Sequence, residues 1–189
     1  KYGDLLSTII RTLEFTFGSV FLGFVVGATS ALALEAFPRA SKILRPILLT
    51  PWVIPGVAVA AIWLSIYHPL MGLANRLLGL VGIAPTAWLS DSKWAMISLI
   101  IVNTWKGSPF IMLMISAGLK SISKEIIEAA DVDGASYFLR LWYIIIPSLR
   151  PILGVIAILS FICTFTYFDL ASLLTNGAPD RSRTTFHFA

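Results

Sequence analysis

The sequence predicts an all-α fold: a polytopic bundle of membrane-spanning helices with a charged helical hairpin on its inner face. Three observations carry this. First, 57% of the 189 residues are hydrophobic, only 13% are charged, and the mean hydropathy is +0.85. A soluble domain carries about a quarter charged residues. Second, four apolar stretches approach the roughly 20 residues that cross a bilayer as a helix. Third, the segment EIIEAADVDGASYFLRLWYIIIP at 125–147 gathers Glu125, Glu128, Asp131, Asp133 and Arg140 between two apolar runs.

The elements follow in chain order. In residues 1–14, Leu5, Leu6, Ile9, Ile10 and Leu13 recur at helical spacing. That stretch either lies along the membrane surface or extends the first span. Residues 15–34 carry no charge and form that span. The connector FPRASKILRP holds Arg39, Lys42 and Arg45 and no acid, which places it inside. Residues 47–67 form the second span, broken at Thr50-Pro51 and Pro55-Gly56. Alternation puts 68–93 outside. There Leu73, Leu77, Leu78 and Leu80 suit a short surface helix, and Trp88 and Trp94 suit the interface. Residues 94–117 form the third span, whose single charge is Lys106. Lys106-Gly107-Ser108-Pro109 is expected to interrupt it near its middle. Segment 118–151 returns inside. The fourth span is 152–168, reaching Leu170 if it admits Asp169, and the tail 171–189 is outside. Inner segments hold seven basic residues against six in the outer ones, so the orientation rests on the first connector.

Within the charged segment, Ser123 can cap a helix whose first turn carries Glu125. The helix continues through Glu128, Ala129, Ala130 and Val132. Gly134 tolerates the left-handed conformation that ends a helix. A second helix can start at Asp133 or Ser136, with Tyr137, Phe138, Leu141, Trp142 and Ile145 on one face. Pro147 should then set the last span at an angle. Ala129 and Ala130 allow close approach of another surface. The alternative is a solvated amphipathic connector.

The spacing Glu128-Ala129-Ala130, then Gly134, Ile144 and Ile146-Pro147, resembles the E-A-A-x3-G-x9-I-x-L-P signature of permease subunits of type-1 ABC importers. It departs only at Ile146, where that family usually has Leu. TPWVIPGVAVAAIWLSIYHPLMGLAN and SLLTNGAPDRSRTT are similar to the carbohydrate-uptake group of these permeases. The resemblance implies one permease domain over 1–189, reading as a piece of a longer protein, with 118–147 as its coupling loop. It implies that Glu128, Ala129 and Ala130, with Asp133 and Gly134 beside them, contact a separate ATPase subunit. That partner would hold ATP and Mg; no cofactor is expected in this chain. A second permease subunit, an extracytoplasmic solute-binding protein facing 68–93 and 171–189, and membrane lipid complete the implied partners. The implied location is the inner membrane of a prokaryotic cell, crossed several times. The modest net charge of +4 points away from nucleic acid.

A substrate path is sought where backbone or charge is irregular at membrane depth, because such features survive only against a cavity or other protein. The prolines are either packing kinks or cavity walls. Lys106 costs about 2.5–3.5 kcal/mol at the bilayer centre and should face the interior, a wet cavity or a partner. Asn103, Lys106 and Phe110 share one face, and Trp105 adjoins them. Such aromatic and polar groups suit a sugar, though a structural ion pair is the alternative for Lys106. Tyr167 and Asp169 close the last span, by ordinary interfacial placement or as part of the path. An enzyme is disfavoured: His68 and His187 are isolated, no P-loop or metal motif occurs, and Asp131 and Asp133 point to different helix faces. A structural scaffold would need neither broken helices nor a mid-membrane lysine. A permease for a polyamine, glycerol phosphate, phosphate or amino acid remains the runner-up.

Overall fold

The computed structural model describes residues 2–165 and 173–174. Among them the secondary structure is helical throughout: α1 Tyr2–Ala36, α2 Pro38–Val53, α3 Gly56–Ile66, α4 Leu73–Leu80, α5 Ser92–Ser121, α6 Lys124–Val132, α7 Tyr137–Arg140, a π turn Leu141–Ile145 and α8 Ile146–Phe165.

α1 is a single helix of 35 residues, about 50 Å at 1.5 Å per residue. The N-terminal stretch therefore extends the first span. The basic connector is helical too. Pro38 sits at the first position of α2, where a missing N–H costs nothing. Pro51 does not break α2 but lies buried inside it, contrary to expectation. The break comes at Ile54, whose ψ of 130° is extended. Pro55 drives its predecessor out of the α region, and α3 restarts at Gly56, bent by 99° from α2.

The expected interruption of the third span is absent. α5 runs unbroken through Pro109. A proline inside a helix removes one donor, a loss that surrounding packing can offset. α5 is the best-surrounded element: α1, α2 and α8 all pack on it. Its span is 50% buried, against 11% for the span that ends in α8. Gly27 lets α1 approach closely, since a Cβ there would lie 2.8 Å from Ile111 Cβ and 3.0 Å from the Ser108 carbonyl oxygen. One core cluster gathers Phe15, Val59, Ala60, Tyr67, Leu99, Val102 and Leu174 toward the 68–93 loop. Another gathers Ala31, Leu34, Ile111, Met112, Ile115, Leu149 and Ile156 toward the hairpin.

The 68–93 loop is tied by Asn75. Its amide donates to the Pro69 and Thr86 carbonyls at 2.9 and 3.0 Å. Its oxygen accepts from the Thr86 N–H and from Trp88 Nε1. Trp88 stacks on Tyr67, and Tyr67 packs on Trp63. The predicted surface helix is present as α4, with Leu73, Leu77 and Leu80 exposed.

The hairpin turns as expected at Gly134, with φ 72°. Its flanking bonds, Ala135 N–H to Ala130 O at 2.9 Å and Asp133 N–H to Ala129 O at 3.0 Å, satisfy carbonyls that the helix end leaves open. Ser136 starts the next helix by accepting from the Leu139 N–H at 3.4 Å. Ser123 stands at the cap of α6, but its hydroxyl bonds the Glu125 carboxylate instead of the backbone. Pro147 does not turn the chain. It is the second residue of α8, and the π turn just before it leads α7 into α8 without a break. A widened turn is the usual way a helix absorbs a register the α pattern cannot keep.

Candidate functional site: a polar cavity at the broken helix

A cavity opens where α1, α2, α5 and α8 meet, with a volume of about 290 Å³. α5 supplies Asn103, Thr104, Lys106, Gly107, Ser108, Phe110 and Ile111. α1 adds Ser19, Val20 and Gly23; α2 adds Trp52; α8 adds Ser160, Cys163 and Thr164. The hydroxyl side chains Ser19, Thr104, Ser108, Ser160 and Thr164 are set into a largely apolar wall. Asn103 donates to Thr164 Oγ1 at 3.4 Å, bridging α5 and α8. Ser19 Oγ and Thr104 Oγ1 are buried and have no hydrogen-bond partner. A buried hydroxyl left unpaired costs about 1–3 kcal/mol, so these two groups are poised for a polar ligand. Trp52 and Phe110 stand at one edge, ring centres 6.0 Å apart and 31° from parallel.

Lys106 is 8% exposed. Its Nζ donates to the Ile54 carbonyl oxygen at 2.6 Å, at the break between α2 and α3. The expected placement in the interior beside a cavity is met; the partner is a backbone carbonyl and not an acid. Asn103, Lys106 and Phe110 do share the cavity face. Trp105 does not: it turns away, meeting Trp63 edge-on at 5.7 Å. Adjacency in sequence is not a shared face on a helix. Tyr167 and Asp169 lie outside the described residues. Trp52, Ser19, Ser160 and Thr164 escaped the sequence reading. The available signal was spacing: Ser19, Gly23 and Gly27 recur every four residues along α1, and Ser160 and Thr164 do so along α8.

The hairpin forms a second candidate surface. Glu128 lines a cleft of about 410 Å³ with Glu35, Leu119, Lys120, Ile122, Lys124 and Ile127. Ala129, Asp133 and Gly134 are exposed. Ala130, by contrast, is only 7% exposed and faces its own chain. Arg140 pairs with Asp131 across the turn.

Residues 19–185 match the family described as binding-protein-dependent transport system inner membrane component. The chain belongs to this family. It is 37% identical over 174 residues to the trehalose/maltose transport system permease protein MalF of Thermococcus litoralis, covering 92% of this chain and 59% of that protein. It is 32% identical over 169 residues to the galactooligosaccharides transport system permease protein GanP of Bacillus subtilis, covering 89% of this chain and 38% of that one. The chain thus spans well under two thirds of these relatives. Its fold matches a chain of the crystal structure of a bacterial ABC transporter involved in the import of the acidic polysaccharide alginate. There the TM-score is 0.77 and the identity 22%, over 90% of this chain and 64% of that one.

Proposed function

We propose that the chain is the membrane-spanning subunit of an ATP-driven importer for a sugar or oligosaccharide. It would sit as a multi-pass protein in a prokaryotic inner membrane. The observation that carries this reading is the cavity. It offers unpaired hydroxyls from Ser19 and Thr104, the Asn103 amide, and the aromatic edges of Trp52 and Phe110. A sugar presents a rim of hydroxyls and an apolar face, and matches both kinds of wall. The relatives named for trehalose, maltose and galactooligosaccharides support that choice.

The hairpin supplies the other half of the proposal. Glu128, Ala129, Asp133 and Gly134 would dock an ATPase subunit, with Ala130 supporting them from behind. ATP and Mg would be held by that partner. A second permease subunit would cover exposed apolar faces such as Val155, Ile158 and Ile162 of α8. A solute-binding protein would meet the Asn75-tied loop.

The test is uptake into proteoliposomes holding the full-length subunit, its second subunit and its ATPase. Labelled maltose, trehalose and galactooligosaccharides would be offered with the binding protein. ATP-dependent accumulation of at least one is expected. Accumulation of a polyamine, an amino acid or glycerol phosphate in their place would replace the sugar reading with the runner-up.

A further inference from the structure

We propose that Lys106 is a positioning residue, whose ammonium holds the open end of α2 at the Ile54 carbonyl and so sets Trp52 against Phe110 as the aromatic wall of the cavity. The proposal rests on the reading of that cavity as the station of a sugar.

The argument begins with backbone accounting. A helix leaves its last carbonyls without internal donors. α2 ends at Val53, Ile54 is extended, and the next residue is a proline with no N–H. α3 leaves at 99° and starts its own ladder with the Val59 N–H bonded to the Pro55 carbonyl. The Ile54 carbonyl thus falls between the hydrogen-bond ladders of the two helices, and a buried carbonyl left without a donor is costly. Lys106 supplies the missing donor at 2.6 Å. The helix end also carries a partial negative charge, so a cation fits it for a second reason. The bond meets the lysine's own need as well, since its charge would otherwise stand alone in the bilayer.

The consequence reaches the cavity through Trp52, two residues before Ile54. Phe110 lies one turn beyond Lys106 on the same face of α5. Two groups from α5 thus clasp the end of α2, one on its backbone and one on its ring. One of the ammonium's donors is thereby committed to the wall, and the hydroxyls of Ser19 and Thr104 are left to meet the ligand.

The assembled transporter carrying Lys106→Met tests this in three ways. Amide exchange over 52–58, read by mass spectrometry without any sugar, is expected to quicken by about tenfold or more, because a hydrogen bond to a charged group is lost. The sugar concentration for half-maximal uptake should rise. The double variant with Trp52→Ala should lose no more than Trp52→Ala alone, since both act through one wall. Unchanged exchange over 52–58 would overturn the proposal, as would additive losses. A loss confined to sugars bearing a carboxylate or sulfonate would overturn it too, by making Lys106 a direct ligand. Lys106→Leu gives the same comparison should the methionine variant assemble poorly. If the parent complex moves no saccharide, it is the functional reading that falls, and the exchange comparison still decides whether Lys106 fixes the break.

Discussion

At the scale of single residues, the structure separates positions that look alike in the sequence. Gly134 is needed for its backbone: φ is 72° and no atom lies within 4 Å of where a Cβ would stand. Gly134→Ala therefore tests conformation alone, and a left-handed alanine costs about 1–2 kcal/mol. We expect the hairpin amides of 124–136 to exchange about tenfold faster in that variant, with the spans unaffected. Equal exchange would mean that the turn is held by other means. Lys106 was legible as a residue in need of a partner, because a mid-membrane charge always is. Its partner was not legible. Ile54 is 52 positions away and offers a main-chain oxygen, which no residue type announces. Trp105 was misplaced for the opposite reason, since its neighbour in sequence was taken for a neighbour in space.

At the scale of elements, the spans were readable from apolar runs, and the prolines were the source of error. Pro46, Pro51, Pro109 and Pro151 lie within helices, and Pro147 opens a turn of one. Breaks coincide with Pro38, which opens α2 after Phe37, and with Pro55. The local rule is the same for all of them, so the difference lies in surroundings. Around Pro109, three helices press on α5 and keep it whole. At Pro55, a lysine from another helix donates to the Ile54 carbonyl at the break. The α1–α5 seam carries its own prediction. Gly27→Ala would drive a methyl to within 3.0 Å of the Ser108 carbonyl oxygen, which cannot move without its helix. Gly18→Ala meets only the mobile tip of Ile100. Overpacking of the first kind costs about 1–3 kcal/mol. Gly27→Ala should lower the thermal midpoint of the complex in detergent, while Gly18→Ala leaves it nearly unchanged. The reverse order would mean that the tighter approach of the two helices lies at Gly18 and not at Gly27.

At the scale of the whole molecule, the described helices leave much apolar surface uncovered, from Phe17 and Phe21 on α1 to Ile158 and Ile162 on α8. In the proposed transporter, lipid and a second subunit would cover it. The hairpin and the Asn75-tied loop are two surfaces of different character. Co-purification checks the docking role proposed for the hairpin. Glu128→Arg with Gly134→Pro should reduce recovery of the ATPase subunit to background while this chain still reaches the membrane. Normal recovery would remove the hairpin from the docking role. The bond between Lys106 and Ile54 also bears on biogenesis. Translation proceeds from the amino terminus, so the acceptor emerges from the ribosome 52 residues ahead of the donor. The lysine's acceptor is therefore already part of the chain when the lysine is added to it.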